Sequence, residues 1–98
     1  MIGMEAVFRV VPGSERAFEL AYSELAAGVL ADEPGTRLYQ LCRSRTEHGV
    51  YKVMEIFESQ EALDTHMKSE RVKSSWPSIA PLLAERPTLE FLDVIELI

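Results

Sequence analysis

The chain has 98 residues, 47% of them apolar, with a net charge of −6 and one cysteine. That length makes a single domain, 1–98, whose modest core gains from association. The acidic balance and scattered basic residues exclude nucleic acid and anionic membrane as partners, no apolar run reaches the roughly 18 residues of a membrane span, and Cys42 alone makes neither an internal disulfide nor a cysteine metal cluster.

The N-terminus shows no signal-peptide pattern, which fits a cytoplasmic protein. Met1–Val11 alternates as a first strand, with Met4, Ala6, Phe8 and Val10 on a wholly apolar face and Glu5, Val7, Arg9 and Val11 on a mixed one. Pro12-Gly13 ends it. Ser14 is placed to cap a helix and Glu15 lies in that helix's positive first turn. Phe18, Ala21, Tyr22, Leu25 and Val29 then recur at helical spacing as one buried stripe.

Asp32-Glu33-Pro34-Gly35 breaks the helix, and the chain turns extended. Thr36–Ser44 and Val50–Glu58 read as two strands of a hairpin joined through Arg45–Gly49. The third strand puts Tyr51, Val53, Glu55 and Phe57 on one face and Val50, Lys52, Met54 and Ile56 on the other, so both faces are largely apolar. A one-faced edge strand would be more polar on one side. Ser59 caps the next helix, in which Ala62, Leu63, His66 and Met67 share a face. Ser69 interrupts that face, an apolar pattern continues through Val72, Trp76, Ile79, Leu82 and Leu83, and Pro77 and Pro81, which lack the backbone donor, predict a break or kink near Lys73–Pro77. Thr88–Ile98 reads as the last strand, with Leu89, Phe91 and Ile95 alternating against Glu90, Leu92 and Val94.

The order β-α-β-β-α-β predicts an α+β, ferredoxin-like fold: a four-stranded antiparallel sheet with its helices on one side. The opposite face would leave a large apolar patch in water, and a homodimer pressing sheet to sheet removes it.

Several fragments resemble one family. Glu33-Pro34-Gly35 with Tyr39 and Leu41 is similar to the E-P-G-x-x-x-Y-x-L start of the second strand in antibiotic biosynthesis monooxygenases. Val53–Ser59 resembles that family's third strand, Glu61-Ala62-Leu63-Asp64-Thr65-His66 its E-A-L-x-x-H helix, and Ala80-Pro81-Leu82-Leu83 its A-P-L-L segment. The resemblance spans nearly the whole chain in order. It implies a dimeric α/β barrel and, among characterised members, oxidation of quinols or polyketide phenols by dioxygen without metal, flavin or nicotinamide. The same architecture also serves haem degradation, signal-molecule processing and chlorite chemistry, so the site must carry the functional argument. In the haem-degrading relatives a histidine ligand stands about where this chain has Trp76, preceded by a tryptophan where it has His66. That exchange argues against haem bound in the same way.

His66 is the candidate catalytic base: it shares an apolar helical face and points toward the sheet, where an imidazole can take a phenolic proton. The alternative is a core histidine bonded to backbone. Trp76 is a candidate to stack on an aromatic substrate, or a packing residue. Glu55 stands between apolar neighbours and needs a partner, for which Arg37, Arg9 or a dimer-mate residue is expected. Tyr39, expected to share a strand face with Arg37, and Tyr22 and Phe57 complete the candidate substrate-binding set. His48 reads as solvated and Cys42 as an inert core thiol. Two separated histidines make no metal site, and no nucleotide-binding loop occurs, so no cofactor is expected. Beside an aromatic monooxygenase, two readings stay open: a non-catalytic binding or stress-response domain, and an isomerase of a small oxygenated metabolite.

Overall fold

Alternation in the first strand, helical periodicity after Ser14 and alternation again from Val50 all produce the elements they predict. The computed structural model describes residues 1–96. Its elements are β1 (Ile2–Arg9), α1 (Glu15–Asp32), β2 (Thr36–Arg43), β3 (Val50–Phe57), α2 (Gln60–Met67), α3 (Glu70–Ile79), a 3₁₀ turn (Ala80–Leu82) and β4 (Thr88–Asp93). The strands form an antiparallel sheet in the order β2-β3-β1-β4. This is the ferredoxin-like arrangement, with the helices layered on one face. No helix among the described residues is long and apolar enough to cross a membrane.

The core lies between the helices and that face. Met4, Ala6 and Phe8 of β1 and Tyr51, Val53, Glu55 and Phe57 of β3 are all buried there, as their period-two spacing requires. Helix α1 covers them with Phe18, Tyr22, Leu25, Ala26 and Val29. Phe8, Phe18, Tyr22 and Tyr51 meet ring to ring at centroid distances of 4.9–5.5 Å, within the range where aromatic pairs attract beyond simple burial.

Four details differ from the sequence expectation. Ser14 occupies the N-cap of α1 without a side-chain capping bond; instead Glu15 accepts the Gly13 N–H at 2.7 Å. The second helical region divides at Ser69, not near Pro77. Ser69 has extended backbone (φ −66°, ψ 144°), and its hydroxyl accepts the Val72 N–H as a new N-cap. Pro77 falls in the last turn of α3, where few helical bonds remain to lose, and the chain then tightens into the 3₁₀ turn at Pro81. Strand β4 ends at Asp93; Ile95 is exposed beyond it, and the final two residues of the expected strand lie outside the described residues. Last, a bulge between Thr36 and Leu38 breaks the alternation of β2. Thr36 and Tyr39 are therefore both buried while Arg37 is exposed, so Tyr39 and Arg37 do not share a face.

The position of α2 is set by a glycine. A Cβ on Gly35 would lie 2.7 Å from the Cβ of Ala62, closer than real Cβ contacts come. Gly35 also accepts the Glu58 N–H at 2.9 Å, which ties the turn before β2 to the end of β3. Helix α2 thus rests directly on the turn. Gly35→Ala should destabilise the fold by about 1–3 kcal/mol, the usual cost of overpacking, and the Gly35→Ala/Ala62→Gly double variant should recover part of that loss in urea unfolding. Additive losses in the double variant would refute the contact.

Candidate active site

Resting α2 on this turn brings three polar side chains together in the core. His66, only 3% exposed, stands in the last turn of α2. Its Nδ1 lies 2.8 Å from Oε1 of Glu33, the residue that closes α1. A carboxylate only accepts, so Nδ1 carries the hydrogen and donates it. In the neutral imidazole Nε2 then holds the lone pair, 3.7 Å from Oε1 of Glu55 on β3. The ring packs against two aromatics: Tyr39 meets it edge-wise at 5.2 Å and Phe57 meets it tilted at 5.2 Å.

Neither arginine that the sequence suggested pairs with Glu55. Arg37 pairs with Glu58 at 2.7 Å, and Arg9 with Glu47 and Glu85 at 3.3 and 3.0 Å. The bulge turns Arg37 outward, and Arg9 projects from the opposite face of β1. Oε1 of Glu55 is buried and makes no hydrogen bond among the described residues. Burial, and then the nearby Glu33 carboxyl, push its pKa up to about 8. Tyr22 and Tyr39 bond hydroxyl to hydroxyl at 2.9 Å, and burial raises both phenols well above their usual range.

These groups line an apolar cavity of about 210 Å³ between sheet and helices. Its walls include Met4, Leu25, Tyr22, Tyr39 and Ile79, and Met67, Trp76 and Leu89 stand at the more exposed side. Trp76, 41% exposed, is at the rim rather than packed into the core. Of the residues named from sequence, His66, Trp76, Tyr39, Tyr22 and Glu55 meet here, while Phe57 supports the His66 ring from within the neighbouring core. Cys42 lies half-buried on β2 among residues of the sheet's other face, and His48 is exposed in the hairpin, 3.3 Å from Glu15. A larger groove of about 600 Å³ runs past Glu15, Glu19, Arg43 and Tyr51. It is open to solvent, and its charges already pair with one another.

The residue that sequence reasoning missed is Glu33, read only as part of a helix-ending turn. Its one visible signal was its place in the E-P-G fragment. Glu33 and Glu55 address opposite nitrogens of the ring, so the three side chains do not converge on a point. Among the described residues no group of three or more His, Cys, Asp or Glu is placed to hold a metal ion.

The site is thus an imidazole bonded to one carboxyl and lining an apolar cavity with a second. The chain belongs to the antibiotic biosynthesis monooxygenase family, whose model matches residues 1–75. A Caulobacter crescentus protein of the same family name is 42% identical and superposes with a TM-score of 0.94, over 97% of this chain and 90% of that one. A Bacteroides thetaiotaomicron protein of unknown function is 28% identical, with a TM-score of 0.81 over 93% and 94% of the two chains. A Nitrosomonas europaea protein shares the fold at 14% identity, with a TM-score of 0.90 over 98% and 100%. No curated protein matches the sequence.

The raised pKa of Glu55 fixes how stability depends on pH. The unfolded chain releases this proton near 4.5 and the folded chain keeps it to about 8. Between those values the folded state binds more protons, so stability falls as pH rises. Glu55→Gln keeps the shape and removes the ionisation. At pH 9 it should be more stable than the parent by about a few kcal/mol, with the difference shrinking toward pH 4.5. Urea unfolding across that range tests it; a constant difference would refute it.

Proposed function

We propose that this chain is a cofactor-independent monooxygenase that oxidises an electron-rich hydroxylated aromatic, a quinol or phenol, with dioxygen. The observation that carries the reading is His66, bonded through Nδ1 to Glu33 and lining an apolar cavity. Family membership supports oxygenation as the chemistry. A substrate hydroxyl passes its proton to Nε2, and the ring becomes an electron-rich anion. That anion gives one electron to dioxygen, and recombination of the two radicals forms a carbon–oxygen bond. The peroxide then loses water to leave a carbonyl: one oxygen atom enters the product and the other leaves as water. All the electrons come from the substrate, so no metal, flavin or haem is required. The protein supplies a base, orientation and exclusion of water.

His66→Ala should lower oxygen consumption with 1,4-dihydroxynaphthalene by about 10²–10⁴, the usual worth of a positioned acid–base group. Melting temperature and turnover are measured on the same sample. A large loss of stability with unchanged activity per folded molecule would make His66 a packing residue instead.

The working unit in this reading is a homodimer, sheet against sheet. Its support is the face of the sheet that no helix covers, where Met54 is 48% and Leu92 43% exposed beside Ile56, Leu38 and Val7. A second copy would remove these side chains from water over more than about 1,000 Å² of total surface. Sedimentation at micromolar concentration should give a dimer, and Met54→Glu, a charge at the centre of that face, should give a monomer. A monomeric parent chain would overturn the assembly.

A further inference from the structure

Among the described residues Oε1 of Glu55 has no hydrogen-bond partner, yet the side chain is almost wholly buried, 1% exposed. Leaving a buried polar atom unpaired costs more than a hydrogen bond gains. Glu55 lines the cavity, so a molecule that enters there can supply the missing partner. The gap to Nε2 of His66, 3.7 Å, is too long for a direct hydrogen bond. Oε1 is closed off in this structure, so a small swing of the Glu55 carboxyl toward the cavity it lines would let one oxygen atom lie about 2.8 Å from both groups, the ordinary O–H···O distance.

We infer that Glu55 is a substrate-binding donor, and that the ligand's hydroxyl oxygen sits between Glu55 Oε1 and His66 Nε2. The hydroxyl gives its hydrogen to Nε2 and accepts one from the Glu55 carboxyl. As the proton moves to His66, the same Glu55 hydrogen bond meets the developing oxyanion, so it strengthens along the reaction. A protonated acid is needed for this, and burial keeps Glu55 protonated through neutral pH. The ionisable groups facing it leave that state undisturbed. Glu33 adds negative charge, which favours the proton on Glu55; Tyr22 and Tyr39 stay neutral; and His66 is the acceptor. Met4 opposite on β1 and Trp76 on α3 carry no charge.

Size limits the rest of the ligand. An apolar cavity of about 150 Å³ takes benzene, so about 210 Å³ suits one or two aromatic rings. The ligand class is a one- or two-ring aromatic alcohol anchored through a single hydroxyl. This inference rests on the proposed aromatic substrate but not on its turnover, and binding alone tests it. The probes are 1-naphthol and 1-methylnaphthalene, alike in shape and different in the hydroxyl. By calorimetry at pH 6.5 the parent chain should bind 1-naphthol about tenfold more tightly than its methyl analogue, as expected for a group that fills an otherwise unpaired buried site. Glu55→Gln, which still offers an N–H, should keep most of that preference. Glu55→Leu should fold and lose it to within twofold. Between pH 6.5 and 9 the preference should fall severalfold in the parent and stay flat in Glu55→Gln. Equal affinity for the two probes, no binding of 1-naphthol, or a preference that survives Glu55→Leu would each overturn the inference. Hydroxyl preference without oxygen consumption would leave it standing and remove only the monooxygenase reading.

Discussion

Helix α2 meets the turn at Glu33–Gly35 so closely that a single added methyl group at Gly35 would strike Ala62, and this contact decides what His66 can reach. Were α2 to sit farther out, Glu33 could not hold Nδ1 at 2.8 Å, and Nε2 would lose its place above Glu55. The turn is itself anchored by the bond from Glu58 to Gly35, so strand β3, turn and helix move as a unit. Ser59 then starts α2 at a fixed point by accepting the Ala62 N–H at 3.1 Å. A close contact between a glycine and an alanine is thus the reason a histidine and two carboxyls share the core.

Such a core is electrostatically costly. Two carboxyls flank one buried imidazole, and among the described residues an oxygen of each is left without a partner. The molecule resolves this unevenly. Glu33 has the Nδ1 hydrogen to accept, while Glu55 relieves its burial by holding a proton up to about pH 8. Two acids near one base, driven apart in behaviour by their surroundings, are a recurring way for a site to keep an acid and a base ready at the same pH. A site built only for stability would have filled this volume with apolar side chains.

The helix-covered side of the sheet is closed under α1, where Tyr22 and Tyr39 seal their hydroxyls against each other. Toward β4 it is open. Leu89 and Phe91 are 44% and 55% exposed, and Trp76 stands at the margin of the cavity. The less protected side of the cavity therefore faces the edge strand, and any ligand would meet Trp76 and Met67 before it reached His66.

Sequence alone determined the order of elements, the side of each strand that faces the helices, and the placing of His66 on the buried face of its helix. These follow from local periodicity, which a few consecutive residues are enough to express. Tyr39, Tyr22, Trp76 and Glu55 were also legible as residues near one another, through strand faces and family resemblance. What sequence could not supply was partnership. Glu33 reads as a turn residue because its role depends on a helix 33 positions later in the chain. Arg37 seemed a neighbour of Tyr39 until a bulge shifted the register, and Pro77 seemed the break until Ser69 offered a better cap. Glu55 clearly needs a partner, and only the packing of α2 decides that its nearest polar neighbour is an imidazole nitrogen 3.7 Å away, beyond hydrogen-bond reach, rather than an arginine. Periodicity is a property of neighbours along the chain, whereas hydrogen bonds and burial depend on distances across the core, and those are fixed only when the helices settle on the sheet.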